Sequence, residues 1–75
     1  MDLRRIFAEN LRTYRTQSGL SQEALADAAG LDRTYISALE RERYSASLDT
    51  IEYIAKALKV EPSALISTNQ NSPEG

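Results

Sequence analysis

The side chains in this sequence that could do chemistry are carboxylates and guanidinium groups, and little else. Histidine, cysteine and tryptophan are all missing from the 75 residues. The usual zinc and transition-metal ligand sets go with them. So does any Ser-His, Cys-His or histidine general-base arrangement. Carboxylates remain, among them Asp27, Asp32, Glu40 and Glu42. They do not form a convergent acid–base pair. No phosphate-binding glycine loop and no calcium-loop spacing occurs. The expectation is a protein that is not an enzyme and that needs no metal or cofactor. No site for a small-molecule ligand is evident.

The charge balance limits the possible partners. Nine Lys and Arg stand against eleven Asp and Glu, a formal charge of −2, with an isoelectric point near 5.0. Taken alone, this argues against nucleic acid, because phosphate binding normally wants a basic surface. The distribution is uneven. Residues 1–20 carry Arg4, Arg5, Arg12 and Arg15 against Asp2 and Glu9, and the remainder leans acidic. The opening MDLRRIFAEN is charged and has no apolar centre of the kind a signal peptide needs. No run approaches the roughly 20 apolar residues of a membrane span. A soluble, cytoplasmic domain without a disulfide framework is expected.

The elements that must position these groups are helical. Leu3, Phe7, Leu11 and Tyr14 recur at steps of four, four and three, one face of an amphipathic helix, and Gly19 supplies its stop. Ser21 then caps a short second helix, with Glu23 in the first turn where the helix dipole favours a carboxylate. Its inward residues are read as Ala24, Leu25 and Ala28. Gly30 ends it, and only Leu31 separates that glycine from Asp32, a second good cap. So tight a glycine turn forces the second and third helices to cross steeply. Ile36 and Leu39 face inward on the third helix, with Tyr35 at the edge. Ser47 caps a fourth helix with Leu48, Ile51, Ile54, Ala55 and Leu58 on its core side. Pro62 opens a fifth, short helix through Ile66. The tail from residue 67 to 75 is polar and expected to be disordered.

These residues carry a resemblance. GLSQEALADAAGLDRTYISALER, followed by SLDTIEYIAKALKVEPSALI, is similar to the Cro and phage-repressor type of helix-turn-helix domain, the xenobiotic-response-element family. The likeness runs over roughly residues 5–66. It rests on Gly19-Leu20-Ser21-Gln22, Leu25-Ala26, Gly30, Ile36-Ser37, Leu39-Glu40-Arg41 and Ala55-Lys56-Ala57-Leu58 at fixed spacing. The run LDRTYIS also resembles the small controller proteins of restriction–modification systems. The fold implied is all-α, a compact five-helix lambda-repressor-like domain over residues 1–66.

The resemblance implies a DNA-binding role, with the second helix across the DNA backbone and the third in the major groove. The outward positions of the third helix are then Arg33, Thr34, Ser37 and Ala38, flanked by Tyr35. Arg33 is the best base reader, because a guanidinium forks onto guanine O6 and N7. Thr34, Tyr35 and Ser37 complete the expected base-contacting set, with Tyr35 divided between packing and DNA contact. Backbone contacts are expected from Ser21 and Gln22 at the start of the second helix, where free N–H groups favour a phosphate. Arg41, Arg43, Tyr44, Ser45 and Ser47 in the following loop would add to them. Glu42 stands there where the family usually has glycine, and Ala46 where proline is common. The family also implies that Glu40 pairs with Arg15, so Glu40 is read as structural.

A second stripe on the fourth helix, Tyr53, Ala57 and Val60, either joins Leu65 or Ile66 in a two-fold interface or packs against the last helix or the tail, and the resemblance favours the interface. The resulting reading is a transcriptional regulator that binds a roughly palindromic operator in double-stranded DNA as a homodimer. RNA polymerase is a candidate further partner. The rival reading is a protein-interaction module of the same fold, an antitoxin or coactivator-like adaptor, which the acidic total favours slightly.

Overall fold

The computed structural model describes residues 2–68. Four α-helices follow one another: α1 (Leu3–Gln17), α2 (Gln22–Ala29), α3 (Arg33–Glu40) and α4 (Leu48–Leu58). A 3₁₀ helix (Pro62–Ile66) closes the described chain, so the expected fifth helix is the tighter form. A short segment opened by a proline suits a 3₁₀ turn, and at five residues this one is already long for that form. No strand occurs among the described residues. The expected tail lies largely outside them, since residues 69–75 are not described.

Local chemistry sets where each helix begins. The Asp2 carboxylate accepts the Arg5 N–H at 3.3 Å, the Ser21 hydroxyl accepts the Ala24 N–H at 3.0 Å, and Ser47 accepts that of Thr50 at 3.0 Å. Each bond satisfies one of the orphan donors of a first helical turn. Asp32 occupies the capping position of α3, yet its side chain makes no cap bond. α2 stops at Gly30, whose φ of +73° is the left-handed conformation glycine adopts without a Cβ penalty.

Leu11, Leu25, Ile36, Leu39, Ile54 and Leu65 are fully buried, joining all four helices and the 3₁₀ turn in one core. Burying each such side chain is worth roughly 1.5–3 kcal/mol. α1 packs on α3 and the 3₁₀ turn, and α2 packs on α3 and α4. Asn10, buried on α1, donates its amide to the carbonyls of Leu65 and Ser67 at 3.0 and 2.9 Å. That side chain ties the end of the described chain back to the first helix.

Several inward assignments differ from the sequence reading. Leu3 and Leu48 are exposed, Leu48 by 84%. Each stands first in its helix, where no preceding turn can cover it. On α2 the inward stripe runs Gln22, Leu25, Ala26 and Ala29, and Ala28 is exposed. The i, i+3, i+4, i+7 spacing holds, but a polar glutamine begins it. Ala38 is buried, not outward. The chain after α3 turns back on that helix, and the Arg43 N–H donates to the Ala38 carbonyl at 2.9 Å.

Candidate nucleic-acid interface

The first turn of α3 leaves Arg33 and Thr34 exposed, whereas Ile36, Leu39 and Glu40 further along are buried. The helix therefore offers its N-terminal turn to solvent and spends its C-terminal half on the core. Ser37 is half-buried, and its short hydroxyl reaches little beyond the helix surface. Tyr35 is also half-buried and packs against the core. Its hydroxyl lies 3.3 Å from Thr50 Oγ1, and its ring sits 6.3 Å from that of Tyr44, tilted by 42°. Most of Tyr35 is thus engaged within the domain. Tyr44 remains exposed.

The orientation of α3 depends on Glu40, whose side chain has no exposed surface. The Arg15 Nε–H donates to Glu40 Oε2 at 2.6 Å, and Arg15 Nη2 donates to Oε1 at 3.0 Å. Gln22 Nε2 donates to Oε1 at 3.0 Å. Arg12 Nε approaches Oε1 at 3.5 Å from a largely exposed side chain. Arg15 also donates through Nη1 to the Leu20 carbonyl at 2.8 Å. One carboxylate thereby joins α1, α2 and α3.

Burial alone would push the Glu40 carboxyl up. Hydrogen bonds from Arg15 and Gln22, with the positive charges of Arg15 and Arg12, outweigh it and hold the group below the usual carboxylate range. The same hydrogen bond, opposed by burial and helped by the carboxylate charge, raises Arg15 above its ordinary value. Both groups are ionised at neutral pH. The sequence reading missed the parts of Arg12 and Gln22. The i, i+3 spacing of Arg12 and Arg15, together with the glutamine that opens the α2 stripe, was the available signal.

At the start of α2, Ser21 is exposed with its hydroxyl committed to the cap, and Gln22 is half-buried beside Glu40. In the segment after α3, Arg41, Arg43, Tyr44, Ser45 and Ser47 are all exposed. Ser45 Oγ accepts the Arg4 Nε–H at 3.1 Å. Ser47 caps α4 and donates to Thr50 Oγ1 at 3.0 Å. Glu42 takes a left-handed φ of +64°, the conformation glycine favours.

The stripe expected to form a dimer face is partly consumed inside the protomer. Leu65 is fully buried under α1 and α4 and cannot reach a second chain, while Ala57 and Val60 are half-buried and pack against the core. Tyr53 and Ile66 stay exposed.

Residues 11–65 match the model of a protein family described as helix-turn-helix. The chain belongs to that family. It is 45% identical over 67 residues to the control protein C.SmaI of Serratia marcescens, covering 89% of this chain and 80% of that one. It is 52% identical over 59 residues to a hypothetical transcription factor of Neisseria meningitidis, covering 79% of this chain. The match spans only 56% of the length of that Neisseria protein. Among solved structures, the restriction-modification controller protein C.AhdI of Aeromonas hydrophila superposes with a TM-score of 0.80 at 45% identity. That superposition covers 83% of this chain and 94% of C.AhdI. The helix-turn-helix family to which this chain belongs is thus represented by transcription regulators, controller proteins among them. No helix among the described residues is long and apolar enough to cross a membrane.

Proposed function

We propose that this chain is a sequence-specific DNA-binding transcriptional regulator of the controller type, acting as a homodimer on a roughly palindromic operator. The observation that carries the reading is the exposed first turn of α3, Arg33 and Thr34, on a helix otherwise held by the core and by Glu40. Such a turn presents its side chains to base edges when α3 lies in the major groove. Arg33 reads a guanine through O6 and N7, a contact worth about 1–3 kcal/mol of discrimination. Thr34 stands beside it, Ser37 contributes only on close approach, and Tyr35 supports the surface from within.

Ser21 and Gln22 offer a phosphate the free N–H groups at the start of α2. Arg41, Arg43, Tyr44, Ser45 and Ser47 hold the backbone beyond α3. Two protomers would meet half-sites about 34 Å apart, and the bound dimer would block RNA polymerase or recruit it. The relatives support this reading, since C.AhdI and C.SmaI are controller or control proteins by name. The acidic balance of −2 implies modest non-specific affinity, so base contacts and dimerisation supply much of the binding. The same acidity favours the adaptor reading. Salt dependence separates the two, because a groove binder loses affinity steeply as salt rises. Selection of bound sites from a random duplex pool tests the proposal. Enrichment of a two-fold symmetric site supports it, and no retained duplex above background at low salt sinks it.

A further inference from the structure

The arginines of α1 differ in what holds them. Arg12 and Arg15 are both drawn to Glu40, and Arg5 lies 3.9 Å from the Glu9 carboxylate one turn on. Arg4 makes no ion pair among the described residues. Its side chain instead donates Nε–H to Ser45 Oγ at 3.1 Å, across a separation of 41 residues in sequence. Both side chains are exposed. The start of α1 is thereby fastened to the segment that carries Arg43, Tyr44 and Ser47.

That bond leaves a defined set of donors unused. A guanidinium offers N–H groups on Nε and on both Nη nitrogens. Nε is taken, and the Nη edge of Arg4 has no hydrogen-bond partner among the described residues. Ser45 Oγ accepts from Arg4 and keeps its own proton for a further acceptor. We infer that Arg4 and Ser45 form a clamp for one phosphate of the DNA backbone, the Nη edge and the serine hydroxyl donating to its non-bridging oxygens. The inference rests on the DNA-binding reading above and extends its footprint from the segment after α3 to the first helix. Arg4 stands ahead of residues 11–65, the stretch that matches the helix-turn-helix family, so the contact is a feature of this chain.

Chemistry, order and charge favour a phosphate there. An arginine fork without a carboxylate matches a group that presents paired oxygens. The bond to Ser45 holds a long side chain that would otherwise lose its freedom on binding, which lowers the cost of ordering it. Arg41 and Arg43, exposed in the same segment, are the residues already assigned to backbone contact. The chain is acidic in total, at −2, and Glu42 lies in that segment too. Its basic surplus sits in residues 1–20, where Arg4, Arg5, Arg12 and Arg15 face Asp2 and Glu9. Folding carries one charge of that surplus to the segment after α3, where a polyanion needs it.

Anisotropy titration of selected and random duplexes over a range of salt tests the clamp, with thermal melting run on every variant. Arg4→Gln is expected to weaken both duplexes about tenfold for each protomer bound, as loss of one charge-assisted contact does. The salt slope should fall by about one for each protomer. Arg4→Lys should keep the slope but lose affinity, because an ammonium lacks the fork. Ser45→Ala should weaken binding less than Arg4→Gln and leave the slope unchanged. Arg5→Gln removes the same charge one residue away and should change affinity less than about twofold, since a screened charge without a contact contributes little. Melting should barely move in any of these, because the side chains are exposed. A methylphosphonate stepped along the half-site should find one phosphate whose neutralisation weakens wild type but not Arg4→Gln. Arg4→Gln silent on duplexes that wild type retains, an equal loss for Arg5→Gln, or no such phosphate overturns the clamp and leaves the DNA-binding reading standing. A wild type that retains no duplex at low salt overturns both.

Discussion

Arg15 and Glu40, on α1 and α3, meet through two hydrogen bonds of 2.6 and 3.0 Å. The fork geometry is the strong form of carboxylate recognition, and the Glu40 side chain is fully enclosed. Such a pair holds orientation more securely than it adds net stability, but breaking it from one side is costly. Arg15→Leu should therefore destabilise the domain by about 3 kcal/mol, the lower end for a stranded buried charge because Arg12 and Gln22 remain. Urea denaturation measures it. The double variant Arg15→Leu with Glu40→Gln should lose less than the sum of the single losses, since no charge is then left alone.

Acid should act through the same group. The folded-state value of Glu40 is depressed, so the unfolded chain binds its proton more readily than the folded one. The stabilisation is fully present above the unfolded value, about 4.3 for glutamate, and is lost as pH falls through the folded value. Stability measured from neutral pH downwards should hold until that range and then decline. Glu40→Gln should flatten this part of the profile while lowering the neutral plateau. An unchanged acid limb in that variant would count against the assignment.

Arg33 and Arg43 should separate base reading from backbone holding. Arg33→Ala is expected to cost about 1–3 kcal/mol on the selected site and to relax preference at one base position in each half-site. Arg43→Ala should weaken all duplexes alike and reduce the salt slope by about one unit for each protomer. Titration of specific and random duplexes at two salt concentrations checks both. Equal losses on both duplexes for Arg33→Ala would remove it from the reading surface.

Glu42 gives a test of backbone strain. Its φ of +64° places a side chain where only glycine sits freely, at roughly 1–2 kcal/mol. Glycine gives back part of that gain through its larger unfolded-state freedom. Glu42→Gly should therefore raise stability by about 0.5–1 kcal/mol, read as a shift in the denaturation midpoint at constant slope.

What was legible in the sequence was local or periodic. Ser21 and Ser47 announce their helices because a cap needs only the N–H groups three residues on. Leu11, Leu25, Ile36, Leu39 and Ile54 repeat at helical spacing and form the core. The misreadings arose where periodicity lacks context. Leu48 continues the apolar stripe of α4, but it stands at the helix start with nothing over it. Ala28 seemed inward because Gln22, the true first member of the α2 stripe, is polar. The left-handed backbone at Glu42 and Lys59 closes α3 and α4 locally, but neither position holds the glycine that would announce it; the Asn10 amide reaching two carbonyls on the 3₁₀ side depends on how distant segments meet, which spacing does not encode. At the candidate interface, the exposure of Arg33 followed from helix phase, whereas the engagement of Tyr35 with Thr50 and Tyr44 needed α4 and the preceding loop in place.

The enclosed carboxylate of Glu40 bears on how the proposed reading surface can be transplanted. Its partners come from α1 and α2: Arg12, Arg15 and Gln22. A graft of residues 21–40 alone into another scaffold would carry a negative charge without the arginines that neutralise it. The α2–turn–α3 unit is therefore not a portable cassette. A chimaera meant to keep the orientation of α3, and with it the proposed base preference, must bring Arg12 and Arg15 and therefore the first helix.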